Sequence, residues 1–401
     1  MNYYGLLIKN ERLKRNWNQA GLCKGICSVS YLSKLERGQI DASKEVLYPL
    51  LERLELLIDD SLDEQASDLA EKAYEALFSG NQNAFLRIVK TENFCDKKFV
   101  PTSSWIDLTL LYQASIGAMV PIDVELEACM DTRQLAMQRL LQGNYKEAIK
   151  LIPNAYFYYR AGCASFEGGE SCVEPLEYLQ KSYEIASQNG QIFIMLNVKI
   201  LMGNCYCSRL EIDNMEEQYE IALRIARSLN CTHEIKTIEY NIAAGRMEVE
   251  MYQEAYTYFS SLSSYDLLSL HKLAICCEKL HLKEEAINAL DRADELTCDY
   301  PPTSLARKMC DLVRFRLNNE NYLTYAQYGL MLEELFEECL QKLSISFASF
   351  HIPWLLEWYK ASRQYKKALE LVANFPLHLQ FNSFKYFSKE NFFQSTSFIC
   401  E

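Results

Sequence analysis

One phrase of about eight residues, repeated along the chain, narrows what this polypeptide can fold into more than any other feature. It reads YKEAIKLI at Tyr145–Ile152, YQEAYTYF at Tyr252–Phe259, KEEAINAL at Lys283–Leu290 and YKKALELV at Tyr365–Val372, with YLTYAQYGL at Tyr322–Leu330 as a looser copy. Each copy centres on a small residue among helix-favouring neighbours: Ala148, Ala255, Ala286, Ala326 and Ala368. A small residue at that point lets a second helix approach to roughly 8–10 Å. Matching first helices carry Leu135-Ala136, Met202-Gly203, Ile242-Ala243, Leu273-Ala274 and Leu355-Leu356. Glycine (14) and proline (9) are scarce for 401 residues, which removes turn-rich all-β folds. No strand alternation competes, so the body is predicted to be an all-α array of helix hairpins.

The unit resembles a tetratricopeptide hairpin, and two degenerate copies, Leu176–Ala186 and Tyr219–Ala226, extend the array. Successive alanines from Ala255 to Ala368 lie 31 to 42 residues apart, more irregular than the usual period of about 34. Stacked hairpins of this kind make a right-handed superhelix whose inner face is lined by the first helix of each pair. We place this repeat domain at residues 69–376. The polar, acidic run 58–68 is a linker or the start of a linking helix, and 377–401, with seven aromatics, is a capping or dimer segment.

Residues 1–57 are different in charge and pattern. They hold nine Lys/Arg and six Asp/Glu, a net of +3, whereas the rest carries −16 of the total −13. A basic module on an acidic body suits contact with phosphate through the module alone. Within it, Leu6, Leu7 and Leu13 recur at helical spacing, and Asn18-Gln19 opens a short second helix. Ser28 reads as the N-cap of a third, ended by Gly38. A fourth starts at Ser43 and buries Val46, Leu47, Leu50, Leu51 and Leu54. Short helices joined by a tight turn define a helix-turn-helix module.

The stretch NQAGLCKGICSVSYLSKLERG resembles the phage-repressor-like helix-turn-helix of the peptide-sensing regulators of Gram-positive bacteria, the Rap–Rgg–NprR–PlcR–PrgX family. The irregular repeats resemble the same family. The resemblance implies that Val29, Ser30 and Lys34 face base edges with Tyr31 beside them and Ser28 capping the reading helix. Gln19 and Arg37 would grip phosphates. Trp17 and Gly21 depart from the family pattern, and Gly21 costs its helix about 1 kcal/mol against alanine. The resemblance further implies a short signalling peptide held on the inner repeat face by asparagines, each offering donor and acceptor to a peptide unit. Candidates are Asn197, Asn204 and Asn241; by repeat register Tyr240, Met247, His271, Asp311 and Phe315 look into the same groove.

Chemistry-bearing motifs are missing. Gly168-Gly169 lacks a Lys-Ser/Thr sequel, the five histidines form no HExxH, and the 15 cysteines show no paired two-residue gaps. We therefore expect no enzyme activity, cofactor or metal. No run approaches about 18 apolar residues, and the first residues have no secretory layout, so a cytoplasmic chain is expected. The expected function is peptide-responsive transcription regulation: a homodimer binding double-stranded operator DNA and a short peptide, with no membrane partner. The alternative is a repeat-based regulator of a response-regulator protein, as in the Rap branch, with DNA binding secondary.

Overall fold

The structure, a computed structural model, describes residues 3–56, 58–117, 124–168, 174–209, 211–298, 301, 304–342, 348 and 350–374. Leu57 and the aromatic segment 377–401, including its predicted capping or dimer role, lie outside them. All regular structure among the described residues is helical. No helix there is long and apolar enough to cross a membrane.

The chain divides into two compact units, one of residues 1–164 and 180–195, the other of 165–179 and 196–401. The first begins with α1 (Tyr3–Lys14), α2 (Gln19–Cys23), α3 (Val29–Glu36) and α4 (Lys44–Arg53). Their shared core is Leu7, Ile8, Leu22, Leu32, Leu35, Leu47, Leu50, Leu51 and Leu54, with Cys23. Gly5 packs there for a steric reason: a Cβ would lie 2.1 Å from the Leu35 carbonyl oxygen, so the backbones of α1 and α3 come together only because it is missing.

The acidic run takes the second of its predicted forms. Asp59 caps α5 (Asp60–Phe78) by accepting from Leu62 N–H, and Asp60 and Asp63 sit in the first turn, where the helix dipole favours anions. Then follow α6 (Gln82–Thr91), α7 (Trp105–Ile116), α8 (Val124–Glu127), α9 (Thr132–Leu141), α10 (Tyr145–Leu151) and α11 (Ala155–Gly168). A buried polar knot ties three of them together. Tyr74 Oη (2.8 Å) and Gln134 Nε2 (2.8 Å) both donate to Asp107, and burial raises the pKa of that carboxyl. The four-helix module docks on this body through Tyr3, whose hydroxyl donates to the Val100 carbonyl at 2.5 Å, and through Lys9 Nζ on both Glu125 oxygens at 2.8 and 2.9 Å.

The unit boundary runs through α12 (Glu174–Gln188) and α13 (Ile192–Ser208). The second unit continues with α14 (Ile212–Ser228), α15 (Thr232–Glu248), α16 (Tyr252–Ser260), α17 (Leu267–Lys279), α18 (Lys283–Leu296), α19 (Leu305–Asn318), α20 (Ala326–Lys342), α21 (Ile352–Ala361) and α22 (Tyr365–Asn374). Small residues meet large rings where the repeat pattern requires close approach. Ala148, Ala255 and Ala286 are fully buried, and an added Cβ at Gly203 would lie 2.4 Å from the Tyr219 ring.

One copy of the repeat phrase is misplaced in the sequence reading. Tyr322–Thr324 is a 3-10 turn, α20 starts at Ala326, and Ala326 is exposed. The close-packing position is Gly329, where a Cβ would come within 1.8 Å of the Trp358 ring. Alanine at the familiar place in the phrase concealed a three-residue shift of the buried face, about one turn of helix.

Candidate functional site

The reading helix is built from its cap inward. Ser28 Oγ accepts from Tyr31 N–H at 3.1 Å and fixes the start of α3. Leu32, Leu35 and Glu36 then fall on one side and are buried. Val29, Ser30, Lys34 and Arg37 fall on the other and are exposed. At 100° per residue these four, with Ser33 between them, span an arc of about 140°. Arg37 is folded back, its Nη2 donating to Ser33 Oγ at 2.5 Å. Tyr31 is half-buried and leans on the Asp41 carbonyl at 3.4 Å.

Gln19 is placed differently from the sequence expectation. Its amide donates to Glu36 Oε2 at 2.8 Å, joining a buried pair in which Arg12 holds both Glu36 oxygens at 2.6 and 2.8 Å. The amide is spent on satisfying a buried carboxylate rather than presented outward. Arg12 also donates to the Trp17 carbonyl at 2.7 Å, so one guanidinium sets the turn between α1 and α2 and the base of α3. Neither Arg12 nor Glu36 was singled out from sequence, since two charges 24 residues apart give no local signal.

The predicted peptide residues divide into three groups. Asn197 and Asn204, both on α13, are half-buried. Asn204 Oδ1 accepts from Tyr219 Oη at 2.6 Å and from Asn241 Nδ2 at 3.3 Å, so it belongs to a polar bridge between α13, α14 and α15. Asn241, Met247 and His271 are buried at 0%, 4% and 2% exposure, which places them in the core rather than on an open groove. Tyr240 packs edge-on against Phe259 of its own hairpin. Phe315 stacks on Tyr328, also hairpin packing, and Asp311 is exposed beside the Arg314–Asp294 pair, away from the buried stripe of α19. All three keep some exposed surface on the first helices of their hairpins.

What covers His271 comes from the chain itself. Phe350 lies edge-on to its ring at 6.2 Å, and Lys272 Nζ sits 3.0 Å from the Phe350 centroid. Trp354, in the first turn of α21, stacks on the Arg316 guanidinium, which Glu278 holds at 2.6 and 2.7 Å. Burial lowers the Lys272 pKa to about 7, and burial with Lys272 nearby pushes His271 well below the usual histidine range. What stays open beside this cover is a small cleft of about 160 Å³ against Glu248, Tyr252, Lys279 and Glu357. No group of three or more potential metal-ligating side chains occurs among the described residues.

A cap-fixed helix with one exposed polar face, mounted on tetratricopeptide-like hairpins, defines a helix-turn-helix module on a repeat body. Residues 8–60 match the family model described as Helix-turn-helix. The transcriptional activator NprA of Geobacillus stearothermophilus is 25% identical over 280 residues, covering 60% of this chain and 67% of that protein. A Rap protein solved in complex with competence and sporulation factor superposes with a TM-score of 0.55 at 12% identity, over 80% of this chain and 99% of that one. Aspartyl phosphate phosphatase F from Bacillus subtilis superposes with a TM-score of 0.49 at 11% identity, over 86% and 99%. The chain is thus similar in sequence to a transcriptional activator and in fold to a Rap protein, with a helix-turn-helix module at residues 8–60.

Proposed function

We propose that this chain is a transcription regulator that binds operator DNA through α3 and responds to a short peptide bound on its repeat face. The observation that carries the DNA reading is the exposed stripe of Val29, Ser30, Lys34 and Arg37 on a helix whose opposite side is fully buried. Serine and lysine can hydrogen-bond base edges, valine can contact a thymine methyl, and Arg37 can swing from Ser33 to a phosphate. A net of +3 on residues 1–57 supplies the local attraction that the whole chain, at −13, lacks. The relative's name, a transcriptional activator, supports the same reading.

For the peptide, support comes from α13, where the two predicted asparagines Asn197 and Asn204 keep exposed surface on a first helix, unlike buried Asn241. The Rap protein of similar fold was solved in complex with competence and sporulation factor. A homodimer carrying two reading helices would meet two half-sites about one turn of DNA apart.

Fluorescence anisotropy against duplexes from the chain's own promoter region, at two or more salt concentrations, tests the DNA half. Lys34→Ala is expected to weaken binding by about tenfold while leaving the melting temperature unchanged, since Lys34 is exposed. Equal affinity of wild type and K34A for every duplex, or no binding at low salt, would sink the proposal.

A further inference from the structure

The outer side of α15 carries a second feature, unrelated to its inner face. With Asn241 as reference, Gly245 and Glu248 lie within about 40° of it, whereas Glu239, Ile242, Ala243 and Arg246 lie about 100–200° round the helix. Together with Glu220, Leu223, Arg224 and Arg227 of α14 and with Tyr258, the latter residues line a cleft of about 570 Å³. That volume falls within the range of about 300–1,000 Å³ usual for small-ligand sites. Its rim carries three guanidinium groups, from Arg224, Arg227 and Arg246, over an apolar floor of Leu223, Ile242 and Ala243.

The arginines are incompletely used. Arg227 Nη2 reaches Glu239 at 3.3 Å and Arg246 Nε reaches Glu216 at 2.8 Å, each spending one of the donors a guanidinium offers. Arg224 makes no ion pair among the described residues. Two carboxylates, Glu220 and Glu239, line the same cleft, so a phosphate dianion would meet repulsion that a single carboxylate escapes in part. We propose that this cleft binds a carboxylate carried on an apolar body, with Arg224 and Arg227 gripping the anion and Leu223 and Ile242 beneath the apolar part. The carboxylate can come from an acidic-apolar protein segment or from a free aliphatic acid.

The test uses the full chain and two probes: octanoate, and a fluorescein-labelled amidated peptide of leucine flanking one glutamate. Calorimetry or anisotropy should show at least one of them binding, octanol not binding, and about a tenfold loss in Arg224→Gln combined with Arg227→Gln. Both positions are exposed, so the melting temperature should hold and separates lost binding from lost fold. Binding by the peptide alone assigns the site to a partner protein; binding by octanoate identifies a free acid. Because Asn197 lies on α13 and does not line the cleft, Asn197→Ala should leave it unaffected, so its fate is independent of the proposed peptide. Failure of both probes, equal binding of octanol, or unchanged affinity in the double variant overturns the proposal.

Discussion

Glu36 lies in the interior of the helix-turn-helix module, and three hydrogen bonds make that tolerable: two from Arg12, one to each oxygen, and one from the Gln19 amide. Such a pair is weak evidence for stability in itself, yet breaking it leaves a buried charge uncompensated. Lys272 is buried too, over the Phe350 ring, with its pKa lowered from 10.5 to about 7 by burial against the opposing pull of the Glu248 carboxylate. Below pH 7 the amine is charged in both folded and unfolded chains, and the folded state bears the full cost. Between 7 and 10.5 the folded state releases its proton first, so stability rises with pH across that window. Lys272→Met should therefore flatten that rise, as urea melts at a series of pH values would reveal. Asparagines part ways on the same logic. Removing Asn204 strands buried Asn241 and the Tyr219 hydroxyl, so Asn204→Ala should cost about 1–3 kcal/mol of stability as well as peptide affinity. Asn197→Ala should cost affinity alone, and a matching loss of stability would mark that residue too as structural.

At the scale of the element, the hairpins share one turn. Gly143, Glu250, His281 and Arg363 each follow a first helix with positive φ, of 75°, 63°, 62° and 59°. A left-handed residue there frees the chain to reverse into the second helix, and only glycine takes it without Cβ strain. His281→Gly should accordingly raise stability by about 0.5–1 kcal/mol in thermal melts, while Gly143→Ala lowers it. The four clear repeat phrases were legible as helices because their periodicity is local: they are α10, α16, α18 and α22. The fifth was not, since whether Ala326 or Gly329 is pressed against a neighbour depends on where Trp358 of α21 arrives. A phrase reports propensity, and the register of contact belongs to the partner helix.

At the scale of the molecule, the helix-turn-helix module meets the first hairpins through the Tyr3–Val100 hydrogen bond, the Lys9–Glu125 pair, Tyr4 beside Asp63 and Ser103, and the Lys44 and Tyr48 contacts with Asp60. The Lys9 and Glu125 side chains keep 29% and 43% of their surface exposed, so screening by salt weakens that pair. Tyr3→Phe with Lys9→Ala is expected to speed hydrogen exchange along α1 while shifting the melting temperature by only a few degrees. Unchanged exchange in α1 would show that the apolar contacts alone hold the module. The charge split between module and body was readable from composition, because counting charges needs no structure. Which side of the module meets the body was not, since it depends on pairs 97 and 116 residues apart.

The sequence alone determined the helical class, the two kinds of module, the cap of α3 and its exposed and buried faces. All of these follow from periodicities and caps that act within about one or two turns of chain. Only the tertiary structure decided which polar residues stay open. Gln19 turns inward because Glu36 lies across the module, and Asn241 and His271 are covered because α13 and the Phe350 turn arrive from elsewhere. The arginine cleft likewise exists only where α14 and α15 bring their outer faces together. Burial is a property of neighbours distant in sequence, and no local pattern carries it.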